Sequence, residues 1–483
     1  MATRRVKVAG AAVCVVAAVG VLVGAGIVRR DAATGSESPS AVLSGPSSKA
    51  PTPNGSLPAP SATPEPAASL DPVLAPVRSV PDSDPKAVAK KVVSAGGVQG
   101  GRISAAVMSA ETGKLLYKSG AQTGLIPASV TKLLTTSAAL KLLGPQHRFR
   151  TSVVAGSPKA RGKSHSHQIV LVGGGDPYLT ETREQATESG QASLEALAAS
   201  TAKKLKADKI TNVQLGYDAS LFPGPAWNPT WPAGYATVVT RTSALWANEG
   251  RLSGAEGPRQ SDPAGAAAKE FATQLGKQGI KITTVVAATA PRTADEITGI
   301  DSLPLDKIVE RLLMASDNDA AEVVARQVAI ADGKPGTITD ALNSIKKVLT
   351  ILDAWATGTQ IYDGSGLSRA GRIPTGTLVK VLRPAIDGDQ PSLGAVFTGL
   401  PVAGVEGGLH YRFDSKSAQI GRGLVRAKTG TLSGVHSLAG YAYTRDGELL
   451  IFAFVVNDAK NDYSAVLWLD RVTAAVASCG CRS

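Results

Sequence analysis

Two alternating apolar runs near the C-terminus constrain the fold more than any other part of the chain. The runs "VHSLAGYAY" and "ELLIFAFVV" flank the turn sequence Arg445-Asp446-Gly447, and together they predict a β-hairpin. A second hairpin pattern, "GRISAAVMSA" followed by "KLLYKSG", surrounds Glu111-Thr112-Gly113 far earlier in the chain. Because the two hairpins lie at opposite ends of the globular part, they predict one sheet closed by distant segments.

Helical patterns lie around these hairpins. Apolar residues recur at helical spacing in "DPKAVAKKVVSAG", "SVTKLLTTSAALKLLG", "YSAVLWLDRVTAAVAS" and, as two stretches, in "LDKIVERLLMASDNDAAEVVARQVAI". Residues 147–292 differ, with short strand-like runs such as "QIVLVGGG", one clear helix pattern and many turns. We therefore expect an α+β fold in which residues 84–146 and 293–483 form the main domain and residues 147–292 form one or two inserted, mostly-β domains.

The N-terminus carries a membrane-targeting pattern. Residues 8 to 28 form an uncharged run of 21 residues, which is long enough to cross a hydrocarbon core of about 30 Å. Three basic residues precede the run, and its length together with Arg29 and Arg30 favours a retained anchor over a cleaved signal peptide. Residues 1–30 are therefore expected to be a membrane anchor or a signal peptide. The folded body is expected in the cell envelope outside the cytoplasm, anchored to the membrane or, after cleavage, secreted.

A low-complexity segment follows over residues 31–83. It is dominated by Pro, Ser, Ala, Thr and Gly and has almost no large apolar side chains. Such a composition cannot bury a core, so we expect a disordered, extended tether between the membrane and the folded body.

The distribution of charge gives little support for binding to nucleic acid. The formal net charge is +12, but five basic residues lie within residues 1–30 without any acidic residue. No basic run carries interleaved aromatic side chains, so nucleic-acid binding is not expected. The mildly basic remainder suits an anionic cell envelope equally well.

The cysteine and histidine residues do not predict a metal site. Outside the apolar N-terminal run the cysteines are Cys479 and Cys481, too few for a four-ligand site. In an exported chain they are either a tight disulfide or a free pair. His165 and His167 lie in a basic loop pattern without neighbouring carboxylates. We therefore expect no metal and no other cofactor.

Ser129 and Lys132 are the first candidates for catalysis. They lie three positions apart at the start of a long apolar helix pattern, where residues i and i+3 share a face and a lysine amine can reach a serine hydroxyl. The unpaired N–H groups of a helix N-terminus could also stabilise an oxyanion there. The motif S-x-x-K alone is weak, because Ser83, Ser200 and Ser344 begin the same pattern. A serine in this place can also simply cap the helix.

Two further tripeptides change this interpretation. Ser316-Asp317-Asn318 lies at the bend between two predicted helices, and Lys428-Thr429-Gly430 begins a predicted strand. Each tripeptide by itself can be a helix cap or a turn. In the order S-x-x-K, S-x-N, K-T-G, the three motifs form the signature set of penicillin-binding proteins and serine β-lactamases.

With these motifs the chain resembles the D-alanyl-D-alanine carboxypeptidase/endopeptidase family of class C, low-molecular-mass penicillin-binding proteins. That family carries a large insertion between its first two motifs, and 184 positions separate Lys132 from Ser316 here. The segments "GGGDPYLT" and "YDGSGLSR" are also similar to segments of the family. The resemblance covers residues 84 to 483, whereas the anchor and tether depart from the plainly secreted members. It implies a two-lobed β-lactamase/transpeptidase-like domain, an antiparallel sheet with helices on both faces.

The chemistry of the motifs can be stated without the family. A serine hydroxyl is a poor nucleophile and needs an adjacent base, and an amine can serve only if it is neutral near pH 7. Burial of Lys132 beside a second cation, for which Lys428 is the candidate, would lower the pKa of its amine. Ser316 would then relay a proton between Lys132 and the leaving amine, while Asn318 holds the acyl-side amide of the substrate.

The resemblance implies the remaining roles. Lys428, Thr429, Gly430 and Thr431 would bind the terminal carboxylate of a peptidoglycan stem peptide ending in D-Ala-D-Ala, and the N–H groups of Ser129 and Thr431 would form the oxyanion hole. β-Lactam antibiotics would be covalent inhibitors. The expected activity is that of a serine carboxypeptidase with an acyl-enzyme on Ser129, with endopeptidase activity as a possible addition.

Several alternatives stay open from sequence alone. A serine β-lactamase needs fast deacylation, but no counterpart of the water-activating glutamate of class A enzymes is evident. A sensor that is acylated or binds without turnover differs only in its kinetics. Ser365 is expected to line the cleft by resemblance. Trp227 and Trp231 are either core packing or a glycan-contacting surface.

Overall fold

The computed structural model describes residues 82–156, 167–252, 257–386 and 390–482. Its α-helices are α1 (Pro85–Ser94), α2 (Lys132–Leu143), α3 (Leu194–Ala207), α4 (Pro263–Lys277), α5 (Leu305–Ala315), α6 (Asn318–Ala331), α7 (Ile338–Ile351), α8 (Thr375–Ile386), α9 (Gly394–Thr398) and α10 (Asp462–Ala477). Its strands are β1 (Arg102–Ser109), β2 (Leu115–Ser119), β3 (Arg150–Ala155), β4 (His167–Val172), β5 (Asn212–Asp218), β6 (Lys281–Ala287), β7 (Glu296–Asp301), β8 (Val425–Leu432), β9 (Val435–Tyr443) and β10 (Leu449–Asn457).

The predicted membrane segment at residues 8 to 28 lies outside the described residues, as does the tether up to residue 81. Within the described ranges, no helix combines the length and the apolar character that a bilayer crossing requires.

The first sheet joins the two ends of the folded body. Its strand order is β2-β1-β10-β9-β8, and all neighbouring strands are antiparallel. β9 and β10 pair continuously from Tyr443 opposite Leu449 to Val435 opposite Asn457. β1 then pairs with β10 along its whole length. Both predicted hairpins and the closure by distant segments are therefore confirmed.

Alternate side chains of the central strand β10 pack into two separate hydrophobic cores, one on each face of the sheet. Phe452 and Phe454 lie in one core with residues of α1 and α10. Ile451 and Ala453 lie in the other, with residues of α2 and α5 to α9. Successive side chains of a strand point to opposite faces, so a strand that is apolar at every position is one buried on both faces. The expected sheet with helices on both faces is confirmed.

A second five-stranded sheet is built mainly from the chain between α2 and α5. Its strand order is β6-β5-β4-β3-β7, with parallel pairing of β4 with β5 and of β5 with β6. The strands β3 and β4, and β3 and β7, are antiparallel. Leu215 of β5 and Phe271 of α4 are fully buried in the core that this sheet shares with α3 and α4.

The start and the end of the described body are tied together. Ser83 donates hydrogen bonds from its N–H and its hydroxyl to the buried Glu448, and the N–H of Asp84 donates to the carbonyl of Cys481 at 2.8 Å. Cys479 and Cys481 are buried and joined by a disulfide, with their Cα atoms 5.1 Å apart. Of the two alternatives for this pair, the structure shows the disulfide.

Candidate active site

Ser129 lies just before α2. A single 3-10 turn, Ala128–Thr131, precedes the helix, and no side chain caps that turn or α2. The Ser129 hydroxyl instead accepts a hydrogen bond from Lys132 Nζ at 2.9 Å. Ala128 has a left-handed φ of 51°, which an alanine adopts only at a cost of roughly 1–3 kcal/mol. This strained turn holds Ser129 beside the amine, so the serine does not act as a helix cap.

Lys132 is fully buried and has three acceptors. Besides Ser129, its Nζ donates to Asn318 Oδ1 at 2.7 Å and to the backbone carbonyl of Ser365 at 2.9 Å. Three acceptors match the three protons of an ammonium group. Burial lowers the pKa of the Lys132 amine to about 8, against the opposing effect of nearby carboxylates, of which Asp317 is the strongest. A base with a pKa in this range is close to the operating pH that general base catalysis favours.

Lys428 is the second buried amine of the site. Its Nζ donates to Ser316 Oγ at 2.8 Å and to the carbonyl of Thr429 at 2.8 Å. Burial, and then the charge of Lys132, hold the pKa of Lys428 well below its usual value. Burial, as expected from the sequence, is the main cause of the lowered pKa of Lys132, and the repulsion between the two amines contributes to the lowered pKa of Lys428. A carboxylate bound to Lys428 would raise its pKa again.

The S-x-N motif lies between α5 and α6. Ser316 has a left-handed φ of 57° and ends α5, while the Asp317 side chain caps α6 by accepting from the N–H of Ala320 at 3.1 Å. This bend turns the side chains of Ser316 and Asn318 toward the two lysines. Asn318 also donates from Nδ2 to the carbonyl of Val238 at 3.0 Å.

Strand β8 passes directly beside Ser129. A Cβ atom at Gly430 would lie 3.1 Å from the backbone nitrogen of Ser129, 2.8 Å from the carbonyl of Pro127 and 2.1 Å from Ser437 Oγ. Only glycine allows the strand to come this close. The approach brings the backbone at Gly430 next to the backbone nitrogen of Ser129.

A loop of residues 362–368 completes the surroundings of Lys132. The Ser365 hydroxyl, expected to line the cleft, is fully buried, and the backbone carbonyl of this residue is the group that binds Lys132. Two buried carboxylates hold the loop, because Glu322 accepts from the N–H groups of Gly364 and Ser365, and Asp363 accepts from two further N–H groups of the loop. Sequence reasoning missed Glu322 and Asp363. The segment "YDGSGLSR" contains Asp363 and was the available signal for that residue, but it does not include Glu322.

The two tryptophans differ in their surroundings. Trp231 is 5% exposed and donates from its indole nitrogen to Asp363 Oδ2 at 2.8 Å, so it belongs to the packed interior. Trp227 is half-buried and packs edge-on against Trp231 with ring centroids 5.3 Å apart. His165 lies outside the described residues, and His167 is exposed at the start of β4.

An acidic cluster lies behind the S-x-N motif. Glu249, Asp317 and Asp319 bring carboxylate oxygens within 4.8 Å of one another. Arg251 contacts Glu249 and Asp319, and Arg259 also lies against Asp319. Burial and the neighbouring Asp317 raise the pKa of Glu249 to about 10. Two guanidinium groups thus lie against carboxylates of this cluster.

The chain is similar to known carboxypeptidases. The model of the D-Ala-D-Ala carboxypeptidase 3 (S13) family matches residues 86–254 and 252–474. A carboxypeptidase of Mycobacterium tuberculosis (strain ATCC 25618 / H37Rv) is 32% identical over 389 residues, which cover 79% of this chain and 81% of that protein. Carboxypeptidase DacB of Mycolicibacterium smegmatis is 32% identical over 426 residues, covering 86% and 89%.

The fold is similar to that of a solved protein. Penicillin binding protein 4 of Haemophilus influenzae superposes with a TM-score of 0.64 at 20% identity, covering 80% of this chain and 98% of that one. At this level of identity the similarity concerns the fold.

Proposed function

Because the chain belongs to the D-Ala-D-Ala carboxypeptidase 3 (S13) family, it is a serine-type D-Ala-D-Ala carboxypeptidase, and we propose that it removes the terminal D-Ala of peptidoglycan stem peptides through an acyl-enzyme on Ser129. The observation that carries this proposal is the 2.9 Å hydrogen bond between the buried amine of Lys132 and the hydroxyl of Ser129. A nucleophile paired with a base of lowered pKa is the arrangement that acyl transfer requires.

The proposed acylation begins with proton transfer. Neutral Lys132 takes the hydroxyl proton as Ser129 Oγ attacks the carbonyl carbon of the penultimate D-Ala. The N–H groups of Ser129 and Thr431 stabilise the oxyanion that forms. The proton then passes by way of Ser316 to the nitrogen of the terminal D-Ala, the C–N bond breaks, and D-Ala leaves. Water hydrolyses the ester in the second half of the reaction and regenerates the serine hydroxyl.

Substrate recognition is assigned to β8 and α6. Lys428, Thr429 and Thr431 offer a cation and two hydroxyls to the terminal carboxylate, a combination suited to an anionic end group. Thr429 and Thr431 are not buried, so their side chains are open to a ligand. Asn318 would bind the acyl-side amide by exchanging its contact with Val238 for the substrate. A β-lactam presents an amide carbonyl and a carboxylate in a similar relation, so we propose that penicillin acylates Ser129 as well.

The test measures D-alanine release from a stem-peptide mimic ending in D-Ala-D-Ala, with the detergent-solubilised full chain and its Ser129→Ala variant. Release by the native chain and none by the variant is the expected result. If penicillin labels Ser129 but no D-alanine is released, the protein is a sensor without turnover, and the proposed stem-peptide reaction is wrong. Rapid recovery of the free enzyme after penicillin treatment would instead indicate a β-lactamase.

We further propose that residues 8 to 28 anchor the protein in the cytoplasmic membrane and that residues 31–83 hold the body away from the bilayer, toward the wall. The uncharged run of 21 residues supports this proposal. After cell fractionation, the full chain should stay with membranes through an alkaline wash, whereas a variant without residues 1–30 should not. A mature N-terminus beyond residue 30 would show that the segment is cleaved.

A further inference from the structure

We propose that Trp231 is a positioning residue for the catalytic base: its indole N–H fixes Asp363 and thereby the loop of residues 362–368, whose Ser365 carbonyl orients Lys132. The inference rests on the proposed function, because it takes Lys132 as the base that activates Ser129. It assigns a catalytic contribution to the chain between the first two motifs, residues 147–292, which we propose as the insertion.

The Ser365 carbonyl is the fixed partner of the Lys132 amine. Of the three acceptors of Nζ, Ser129 Oγ is the nucleophile itself and Asn318 Oδ1 belongs to a side chain assigned to the substrate. The carbonyl at 2.9 Å is the acceptor that takes part neither in the bond changes of acylation nor in the proposed contact with the substrate. The position of the loop therefore decides where the amine points when the serine proton is transferred. A misplacement of about 1 Å at such a contact can lower a rate about 10²-fold.

The loop in turn depends on the Asp363 carboxylate. Oδ1 accepts from the N–H of Gly366 at 2.8 Å, and Oδ2 accepts from the N–H of Ser368 at 2.6 Å. Asp363 is 2% exposed, and a buried carboxylate is costly unless donors surround it. On the other side of Ser365, Glu322 accepts from the N–H groups of Gly364 and Ser365 at 3.0 and 2.8 Å. Both carboxylates thus shape the backbone around the carbonyl that Lys132 uses.

Trp231 supplies the remaining donor to Asp363. Its indole nitrogen lies 2.8 Å from Oδ2, and among the described residues it is the side-chain donor that reaches this carboxylate from outside the loop. The adjacent Asn228 donates from Nδ2 to the carbonyl of Tyr362 at 2.7 Å, at the start of the same loop. The turn that contains Asn228 and Trp231 therefore holds the loop through contacts separate from those of α6.

The hydrogen bond from Trp231 affects the ionisation of Asp363 as well as its position. Burial raises the pKa of Asp363, and the hydrogen bond from the indole N–H opposes this effect because it favours the ionised form. The negative charge of Asp363 in turn raises the pKa of Lys132, as do Asp317, Glu322 and Asp319 from α6 and its cap. Across the site, Lys132 faces the second amine of Lys428 on β8. Loss of the indole N–H should therefore lower the pKa of Lys132 by weakening the charge of Asp363.

The experiment compares Trp231→Phe with Trp468→Phe in the full chain. Trp468 is a matched control, since it is 2% exposed and its indole nitrogen donates to the carbonyl of Gly96 at 2.7 Å on the far side of the first sheet. We measure the rate constant of penicillin acylation, the KM for the stem-peptide mimic, and the dependence of acylation on pH. For Trp231→Phe we expect the acylation rate constant to be about tenfold lower, because one hydrogen bond to a charged group is lost. The KM for the stem-peptide mimic should be unchanged.

The pH profile separates a positioning role from a merely structural one. In Trp231→Phe, and more strongly in Asp363→Asn, the acidic limb of the profile should move to lower pH, because a weaker negative charge lowers the pKa of the base. The inference is overturned if Trp231→Phe behaves like Trp468→Phe, or if its rate falls while the limb stays in place. If the native chain itself releases no D-alanine and is not acylated at Ser129, the proposed function fails instead, whatever the tryptophan variants do.

Discussion

At the scale of single residues, the proposed mechanism depends on the buried amine of Lys132, which contacts the hydroxyl of Ser129. The amine has a pKa of about 8 because burial disfavours its charged form, while four carboxylates on α6, its cap and the loop of residues 362–368 work against that effect. Because these two effects oppose each other, the Lys132 amine is neutral in a fraction of the molecules near pH 7. Each change to this balance has a measurable effect on acylation.

Substitution of the base is the most direct change. Lys132→Arg should abolish acylation by penicillin, a loss of at least about 10²-fold, because a guanidinium keeps its charge and cannot accept the serine proton. Labelling with a fluorescent penicillin measures the effect. Lys141→Arg is the matched control, since Lys141 lies on the same helix but is exposed and donates to Gln390. Normal labelling of Lys132→Arg would show that another group is the base.

The pH dependence follows from the same amine. Only neutral Lys132 accepts the proton of Ser129, and its neutral fraction increases with pH. The acylation rate should therefore rise as the pH increases through about 8 and be about tenfold lower for each pH unit below that value. Stopped-flow measurements with a chromogenic β-lactam test this expectation. A rate that is constant from pH 6 to 9 would contradict the assignment.

At the scale of elements, strand β8 and the turn before α2 form the site by close approach. The K-T-G motif lies on an edge strand of the first sheet, where Gly430 pairs with Ser437 of β9 and the Ser437 hydroxyl donates to the carbonyl of Pro127 at 2.6 Å. The distance between the strand and Ser129 is therefore set by the absence of a side chain at position 430.

A methyl group at this position should separate the two elements. Gly430→Ala would place Cβ 2.1 Å from Ser437 Oγ and 3.1 Å from the backbone nitrogen of Ser129. We expect a loss of acylation of roughly 10²- to 10³-fold, as for an impaired oxyanion hole, and a loss of about 1–3 kcal/mol in the free energy of unfolding. Gly276→Ala is the control, because Gly276 is exposed on α4 with nothing within 4 Å of the added atom. Unchanged acylation in Gly430→Ala would show that the strand does not contribute to the oxyanion hole.

At the scale of the whole molecule, the beginning and the end of the described body stabilise each other. Ser83 lies just before α1, and Glu448 lies just before β10, 365 positions later. The buried Glu448 carboxylate accepts both hydrogen bonds of Ser83. This contact closes the body near the disulfide of Cys479 and Cys481, far along the chain from the motif residues.

Removal of this contact should affect stability alone. Glu448→Ala leaves the N–H of Ser83 without its partner in the interior, so we expect the free energy of unfolding to fall by about 1–3 kcal/mol. Acylation per active site should stay at the native rate. Chemical denaturation and penicillin titration measure the two quantities, with the exposed Glu111→Ala as the control. A change in the acylation rate would mean that this end of the body is coupled to the active site.

Local patterns determined much of the architecture from the sequence. The alternation in β9 and β10 and the turn between them lie within one stretch of chain, as do the spacings of α1, α2 and α10, so these elements were predictable. The pairing of Ser129 with Lys132 was predictable for the same reason, because three positions on one helical turn bring the two side chains together. The order of the three motifs then indicated the chemistry.

Only the tertiary structure decided how the site works. The other two partners of the Lys132 amine, Asn318 and Ser365, lie 186 and 233 positions away, and no local pattern specifies which distant atoms meet. The contact between Trp231 and Asp363 could not be predicted for the same reason. The pKa of Lys132 was also not readable from spacing, because it depends on complete removal of the amine from water, and burial is a property that the packed chain has and the sequence motif does not.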